Sequence, residues 1–355
     1  MISKSLIACI LLSFAVSCSK TSVSVPKQKG NRQAGVHITQ AELNSYDTEF
    51  QRVKGLGIDV IPLTLPWNTL ETNSGFDFSS LDIIDYYYPL NNIKVSLNIT
   101  PIYAIARAVP SDLQSKTFND SVVIARFKVL LDSVQTRLKH TIINNFIIGL
   151  EVDNYLNANA SEWTNYKIFY DSAIIFIKQR WGNSMPVGVE TTWSSVIGNS
   201  KNNIIDLNQY SDMMVLSYYP NQSDFTVKTP TTVHADIKSV IDLYPSIPIF
   251  IVECGYQTSE ACNSSEELQR EFIMEMFKLW DDHLAQINFM GFLWLTDLSD
   301  AKVDQYVSDY GASGFPNLDA FKGYLKTTGL RTYPGTGSDK LGFTQLKSEL
   351  SVRGW

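Results

Sequence analysis

Eight short apolar runs rich in β-branched residues are spread along the chain, and segments with helical periodicity separate nearly all of them. In residues 122–138 and 163–181, apolar side chains recur at three- and four-residue spacing, which indicates amphipathic helices. Strand–helix alternation repeated about eight times predicts a parallel sheet, and the even count favours a closed (β/α)8 barrel in the α/β class. The predicted strands are 35–38, 58–65, 93–99, 145–151, 186–190, 213–218, 247–253 and 289–295.

The helix expected after the seventh strand has a recognisable start. Ser264 and Glu267 stand three residues apart, which is the spacing of a capping box, and an apolar helical pattern follows them. We therefore expect this helix to begin at Ser264.

The first residues of the chain form a targeting segment. Lys4 supplies a positive charge, and the apolar run at 6–16 is too short to span a bilayer as a stable helix. The run ends in Ala-Val-Ser-Cys at 15–18, which resembles the lipobox of bacterial lipoproteins and makes Cys18 the lipidated residue. An ordinary signal peptide cleaved at a small residue is the alternative.

Three regions follow from this reading. Residues 1–17 are a signal peptide, 18–33 are rich in Ser, Thr, Lys and Gly and form a flexible tether, and 34–355 form one domain without a second linker. We expect a monomer in the cell envelope of a bacterium, held by its lipid at the outer membrane or cell surface. Ser19 after the cysteine favours the outer membrane, although the sequence leaves the leaflet open.

Charge and histidine spacing exclude several classes of function. The net charge is −7 with no basic cluster, so a nucleic-acid partner is not expected. His37, His140, His234 and His283 are scattered without metal-ligand spacing, and the chain has no Cys-x-x-Cys. We expect neither a metal nor a cofactor.

Cys254 and Cys262 are the two cysteines left once Cys9 is removed with the signal peptide and Cys18 is lipidated. They flank a short loop in a chain bound for an oxidising compartment, which favours a disulfide. Two unpaired thiols are the alternative, since spacing does not establish the geometry of a bond.

Two glutamates mark the candidate site. Glu151 in NNFIIGLEVDNYL and Glu253 in SIPIFIVECGYQTS each stand where an apolar run gives way to polar residues. Burying a carboxylate costs several kcal/mol unless it is paired, so such a residue is either an ion-pair partner or a functional group. The carboxyl ends of barrel strands form the active-site face, and two carboxylates facing each other there are the minimum that retaining glycoside hydrolysis requires.

Most of the chain after the tether resembles the clan A glycoside hydrolases, which are retaining (β/α)8 enzymes. FIIGLEVDN and IFIVECGY match the motifs of the fourth and seventh strands, which implies that Glu151 is the acid/base and Glu253 the nucleophile. SYYP resembles the sixth-strand end, and the resemblance implies that Tyr218 bonds the nucleophile. GFLWLTDLSD resembles the eighth strand, whose Trp294 is implied to form the floor of the sugar site. WNTLETNSGFDFSSLD and TTGLRTYPGTGSDKLGFTQL are similar to the second-strand and closing segments.

One position departs from the clan. An Asn that bonds the sugar 2-hydroxyl usually precedes the acid/base, and this chain has Leu150 there. Another residue makes that contact, or the sugar differs, or the protein binds glycans without hydrolysing them.

Further aromatic and acidic residues lie at predicted strand ends. Trp294 and Tyr218 are candidate sugar contacts, and so are Trp67, Trp193 and Glu190, with a structural role as the alternative for each.

Four more residues are interpreted as structural. Asp153 and Asp297 follow the motif strands and are expected to cap loops. Trp163 and Trp181 lie on the apolar face of a predicted helix and are expected in the core.

The sequence thus favours a retaining hydrolase of β-linked poly- or oligosaccharides, similar to endo-β-galactanases, xylanases and cellulases, that forms a covalent glycosyl-enzyme. The alternative is a non-catalytic surface glycan-binding protein on a degenerate barrel. A chitinase-like mechanism lacks its Asp-x-Asp-x-Glu run, and a metal-dependent hydrolase lacks its histidines. The sugar, the linkage and the choice between internal and terminal attack stay open.

Overall fold

The eight predicted strands are all present in the computed structural model, which describes residues 25–38, 46–72 and 74–355. They build a parallel barrel, so the predicted fold is confirmed. The strands are β1 (Gln33–Val36), β2 (Val60–Pro66), β3 (Lys94–Tyr103), β4 (Ile143–Leu150), β5 in two pieces (Val187–Gly188 and Glu190–Thr192), β6 (Met214–Tyr218), β7 (Ile249–Cys254) and β8 (Ile287–Phe292).

The barrel closes by packing at one seam. Hydrogen-bonded ladders run from β2 through β3 and β4 to the first piece of β5, and from its second piece through β6, β7 and β8 to β1. Pro62 of β2 lacks an N–H group for a ladder to β1. Gly35 of β1 approaches it so closely that a Cβ there would stand 3.0 Å from the Pro62 ring. Pro62 has no N–H group to donate to β1, and Gly35 has no side chain to hold β2 away. The two strands therefore pack side by side without a hydrogen-bonded ladder.

The helices surround the barrel. The two helices predicted from periodicity are confirmed within a residue, because α4 spans 121–137 and α6 spans 162–181. Trp163 is buried as expected, and Trp181 packs on Phe146 with ring centroids 4.6 Å apart. The helices are α1 (Tyr46–Lys54), α2 (Trp67–Leu70), α3 (Ser79–Leu90), α4 (Ser121–Arg137), α5 (Val152–Ala158), α6 (Glu162–Trp181), α7 (Trp193–Ile197), α8 (Lys201–Leu207), α9 (Val233–Leu243), α10 (Glu266–Asp282), α11 (Asp300–Asp309), α12 (Leu318–Thr327) and α13 (Leu341–Val352).

The predicted start of α10 is wrong by one residue. Ser265 caps the helix by accepting a hydrogen bond from the Leu268 N–H, whereas the buried Ser264 hydroxyl donates to the Gln257 carbonyl. Glu267 accepts hydrogen bonds from Arg270 and takes no part in a capping box.

An apolar layer fills the barrel below the strand ends. Val60, Ile147, Val215, Val252 and Phe289 belong to this inner cluster and are almost completely buried. Because the layer closes the lumen, polar groups at the carboxyl ends of the strands lie on a solid floor.

Residues 293–340 form a long connection between β8 and the last helix, α13. The connection contains α11 and α12, and it has its own apolar cluster that includes Leu298, Val303, Val307, Phe321 and Leu325. We refer to residues 293–340 as the β8 insertion. Its separate core holds it as a folded unit above the barrel.

Residues before the predicted domain boundary at Ala34 also contact the barrel domain. The Lys27 ammonium donates to the Asp281 carbonyl at 2.5 Å, and the Arg32 guanidinium donates to the Asp281 carboxylate at 2.8 Å. Lys27 and Arg32 are therefore bound to Asp281 of α10. The predicted signal peptide and the lipidation site at Cys18 lie outside the described residues.

The predicted disulfide is not formed. Cys254 and Cys262 are both free and buried. Cys254 belongs to the main hydrophobic core at the end of β7, while the Cys262 thiol lies 3.1 Å from the Ala320 carbonyl of α12. The two thiols thus pack against different partners.

No helix among the described residues has both the length and the apolar composition needed to cross a membrane.

Candidate active site

Glu151 directly follows β4, on a turn that requires glycine at position 149. Gly149 has φ +92°, and a Cβ there would lie 2.4 Å from Cγ1 of Val152 and 2.6 Å from the Tyr166 hydroxyl. Glu151 itself has φ +43°, in the left-handed region that non-glycine residues rarely adopt. This tight turn ends the strand and places Leu150 and Glu151 together at the barrel mouth.

Glu253 reaches the same mouth through an irregularity in β7. Ile251 pairs with Leu216 of β6, but the next paired residue on β7 is Glu253, opposite Ser217, so Val252 is an extra residue. Val252 belongs to the inner layer and Glu253 lines the cavity above it. A bulge of this kind re-aims a side chain, and here it directs two successive residues into the barrel.

Hydrogen bonds connect the two carboxyl groups to β6. The Ser217 hydroxyl donates to Oε1 of Glu151 at 2.6 Å, and the Asn154 amide donates to Oε2 at 3.1 Å. The Tyr219 hydroxyl donates to Oε2 of Glu253 at 2.9 Å. Since Ser217 is also the strand partner of Glu253, both glutamates lie around one residue of β6.

Burial and the charge of Glu253 raise the pKa of Glu151 to about 8. The hydrogen bonds from Ser217 and Asn154 favour the charged form and oppose this shift, but they do not cancel it. Glu151 therefore carries a proton at neutral pH and can donate it.

Glu190 is a third carboxyl group beside this pair. It is 1% exposed, and its Oε2 accepts a hydrogen bond of 3.1 Å from the Asn98 amide. Burial, followed by the charges of Glu253 and Glu151, holds its pKa well above the usual range. Glu190 is not among the residues that line the cavity.

A cavity of about 1040 Å³ opens above the two glutamates. Aromatic side chains form much of its wall, and the β8 insertion supplies many of them. The lining includes Glu151, Glu253, Leu150, His37, Trp294, Asp297, Tyr46, Tyr103, Tyr219, Tyr306, Tyr310, Tyr324, Tyr333, Phe225, Phe315 and Phe321. Rings of this kind pack on the C–H faces of sugars, and hydroxyl groups give polar contacts at their edges.

Tyr219, and not Tyr218 as predicted, makes the hydrogen bond to Glu253. Tyr218 is completely buried and donates to Asp236 on α9 at 3.1 Å, while Tyr219 bonds Glu253. Successive residues of a strand point to opposite sides, so only one tyrosine of this pair can face the lumen.

Trp67 and Trp193 are also core residues instead of ligand contacts. Trp67 is fully buried, and its indole N–H donates to Glu71 at 2.7 Å. Trp193 is 7% exposed and donates to the Asp236 carbonyl at 2.9 Å. Each tops its strand but packs between the barrel and the helices, where a sugar cannot reach.

Trp294 and Asp297 both line the cavity. Burial outweighs the nearby Lys340 ammonium and raises the pKa of Asp297 to about 6. Lys340 donates to Asp297 at 2.6 Å, which ties the start of the β8 insertion to its end. Asp153 lies on α5 and accepts hydrogen bonds from the backbone N–H and the hydroxyl of Thr192 at the end of β5, so it joins two elements and does not cap a loop as predicted.

Sequence reasoning missed several residues of the site. Ser217 and Asn154 are small polar residues near the motif strands. Nothing in their distance from Glu151 along the chain indicates that they bond its carboxyl group. Tyr219 could have been found from the alternation of β6, once its buried side was known. Tyr306 and Tyr324 lie far from any motif, on helices that only the fold brings above the barrel.

No group of three His, Cys, Asp or Glu side chains within the described ranges is placed to hold a metal ion.

No family model matches the sequence, and no curated protein resembles it at the level of sequence. Solved structures do resemble it. An exo-β-1,4-mannosidase from Opitutaceae bacterium strain TAV5 shares 14% identity with a TM-score of 0.68, over 91% of this chain and 59% of that enzyme. A GH5_18 protein from Streptomyces cattleya, solved with GlcNAc, shares 10% identity with a TM-score of 0.70, over 93% and 81%.

Xylanase 10C from Cellvibrio japonicus, solved with xylopentaose, shares 10% identity with a TM-score of 0.63, over 90% of this chain and 67% of that one. At such low identity the likeness establishes the (β/α)8 fold, which these glycosidases share with the present chain.

Proposed function

We propose that the protein is a retaining glycoside hydrolase acting on β-linked poly- or oligosaccharides. The observation that carries the proposal is the pairing of Glu151, which is protonated at neutral pH, with Glu253 in one cavity at the carboxyl ends of the barrel strands. The shared fold with glycosidases supports the same class.

In the first step, a carboxylate oxygen of Glu253 attacks the anomeric carbon. The bond from that carbon to the glycosidic oxygen breaks, and Glu151 gives its proton to the departing oxygen. The Tyr219 hydroxyl holds the other carboxylate oxygen, Oε2, and so sets the direction of attack.

In the second step, water attacks the anomeric carbon of the glycosyl-enzyme. Glu151, now ionised, takes the proton from water, and the ester bond to Glu253 breaks. Two inversions at one carbon give net retention. The mechanism requires the carboxyl groups to lie about 5–5.5 Å apart, a separation that leaves no room for a water molecule between nucleophile and sugar.

Leu150 supports a second candidate, a surface protein that binds glycans without cleaving them. Leu150 lines the cavity beside Glu151, and its side chain cannot donate a hydrogen bond to a sugar hydroxyl. Loss of a contact that strengthens in the transition state would lower the rate more than the affinity.

The deciding measurement is release of reducing ends and of nitrophenol by the purified mature protein, on a panel of β-linked glycans and aryl β-glycosides. We expect turnover that falls by at least about 10³-fold in Glu253→Gln and in Glu151→Gln on glycans, since each removes an essential group. Glu271→Gln, at an exposed position of α10, is the matched control.

Azide separates the roles of the two glutamates. It should restore turnover in Glu151→Ala with a β-glycosyl azide as the product, and in Glu253→Ala with the α-anomer. A folded wild-type protein that binds a glycan in the panel but cleaves none would instead establish the binding protein.

We also propose that Cys18 carries a lipid that holds the protein at the cell envelope. Metabolic labelling with a fatty acid should mark the wild-type protein and not Cys18→Ser. Equal labelling of both, or of neither, would contradict the anchor.

A further inference from the structure

We infer that the cavity is closed on the side of Glu253 and open on the side of Glu151, so that the protein removes sugars from the non-reducing ends of its glycans. This inference rests on the proposed function and specifies which part of the substrate the site accepts.

The first part of the enclosure crosses β1 and β2. Tyr306 on α11 is hydrogen-bonded through its hydroxyl to Tyr103 at the end of β3. Because β1 and β2 lie between β8 and β3 in the barrel, a link from the β8 insertion to β3 spans the ends of both strands. His37, directly after β1, and Leu63, in the middle of β2, line the cavity on this side.

The second part crosses β7, the strand that carries Glu253. Tyr324 on α12 packs edge-on against Tyr219, with ring centroids 5.6 Å apart. Phe225, in the loop after β6, lies 4.8 Å from Phe321 and 5.9 Å from Tyr324. The β8 insertion therefore also contacts the β6 loop, and it passes over the end of β7, which lies between β8 and β6.

The enclosure is firmly held. The β8 insertion has its own apolar core, and Lys340 ties its two ends together by donating to Asp297 and to the Thr327 carbonyl. The contacts with β3 and with the β6 loop are made by half-buried aromatic side chains. A wall anchored at both ends in this way is part of the resting structure.

The two parts join into one wall that runs from β3 past β2, β1, β8 and β7 to β6. The contacts that hold this wall are made with β3, with Tyr219 and with the β6 loop, so the sector above β4 and β5, where Glu151 stands at the end of β4, lies outside the arc that they span. The acid/base protonates the leaving oxygen, so the departing part of the glycan extends toward this open sector. The other part, whose anomeric carbon Glu253 attacks, has to fit inside the cavity.

A polysaccharide chain continuing beyond the enclosed sugar would meet the wall. The cavity of about 1040 Å³ accommodates a small number of sugar residues. The substrate class is therefore a glycan with a free, β-linked non-reducing end.

The test compares two versions of one β-linked oligosaccharide that the protein cleaves, one with a free non-reducing end and one with that end blocked by a bulky acetal. Both carry a fluorescent label at the reducing end, and products are followed by chromatography from the earliest times. We expect stepwise shortening of the free substrate and at least a 100-fold lower rate on the blocked one.

Tyr306→Ala should open the wall and raise the rate on the blocked substrate at least tenfold over wild type. Tyr103→Phe removes only the hydroxyl link and serves as the second variant if Tyr306→Ala does not fold. Tyr86→Ala, at a 73% exposed position on α3, is the control and should leave both rates unchanged.

Cleavage of the blocked substrate at a rate similar to the free one, or internal fragments at the earliest times, would overturn the inference and leave the proposed hydrolase intact. No turnover of aryl glycosides or of either oligosaccharide would overturn both.

Discussion

At the scale of single residues, the proton on Glu151 decides what the site can do. Burial, the charge of Glu253 and the hydrogen bond from Ser217 act on the same carboxyl group, the first two raising its pKa and the third lowering it. A general acid with a pKa near the working pH can both give and regain a proton, as a double displacement requires. The pKa of Glu190, also raised by burial, has no such use, because that side chain does not line the cavity.

The pH dependence of the rate follows from the pKa of Glu151. The active form is protonated, so kcat/KM should fall as the pH rises through about 8. Ser217→Ala removes a hydrogen bond that favours the ionised form, and it should move this fall to higher pH. Ser133→Ala, which removes a hydroxyl bonded to the Val129 carbonyl on α4, is the control. A fall at unchanged or lower pH in Ser217→Ala would contradict the assignment.

The buried Glu190 should lower the free energy of unfolding as the pH rises. The folded protein keeps its proton, while the unfolded chain releases it above about pH 4.3, so the folded state binds more protons and the free energy of unfolding decreases with pH. Glu190→Gln removes this dependence. The variant should therefore melt at a higher temperature than wild type at pH 8, with the difference shrinking toward pH 4.

Scanning calorimetry across that range measures the effect of Glu190→Gln, and the exposed Glu271→Gln should show no pH-dependent difference. A Glu190→Gln curve parallel to wild type would mean that Glu190 is ionised in the folded protein.

At the scale of elements, the ends of β4 and β7 depart from regular strand geometry, and both departures place a glutamate. In β4 the chain turns through two positive φ angles, at Gly149 and Glu151, and in β7 an extra residue at Val252 breaks the pairing with β6. Strained or irregular backbone persists only where the surrounding structure holds it. The regular parts of both strands, packed between the inner layer and the helices, provide that support.

Gly149→Ala should lower the free energy of unfolding by about 3 kcal/mol or more. The new Cβ combines an unfavourable positive φ with close contacts to Val152 and Tyr166. Gly182→Ala is the matched control, because Gly182 also has a positive φ, +95°, but open space around it, so it should cost the backbone strain alone, about 2 kcal/mol. Urea denaturation of the three proteins measures both values. Equal losses would show that the space around Gly149 can relax.

At the scale of the whole molecule, residues near the two ends of the described chain are bound to α10. Arg32 and Arg353 both donate to the Asp281 carboxylate, and all three side chains are nearly inaccessible to solvent. Burial disfavours the charge on Asp281, but the hydrogen bonds and charges of Arg353 and Arg32 outweigh it, so the pKa of Asp281 lies below its usual range. The barrel is thus joined at its base, opposite the proposed active site.

Asp281→Ala should destabilise the protein by about 3–5 kcal/mol, because it leaves the buried Arg32 guanidinium without a carboxylate partner and removes one of the two carboxylates that pair with Arg353. Asp242→Ala breaks the exposed pair with Lys238 and should change stability by no more than about 0.5 kcal/mol. The Asp281 contribution is present above the unfolded pKa of about 3.9 and is lost as the pH falls through the lower folded value. Equal effects of the two variants in urea denaturation would show that solvent reaches Asp281.

The sequence alone predicted the barrel, its eight strands and the two glutamates at the carboxyl ends of β4 and β7. These features follow from local rules, because strand and helix periodicities are written in neighbouring residues and a carboxylate at the end of an apolar run is costly wherever it lies. The helices α4 and α6 were found for the same reason.

Only the tertiary structure decided which side chains meet above the glutamates. Tyr219 bonds Glu253 in place of Tyr218, because the orientation of adjacent residues at a strand end depends on the twist and bulges of the barrel. Tyr306 and Tyr324 close the cavity from an insertion whose position is set by packing against distant elements. Cys254 and Cys262 stay apart although nearby in sequence. A residue pattern records periodicity along the chain, whereas these contacts depend on the direction of each side chain in space, which long-range packing fixes.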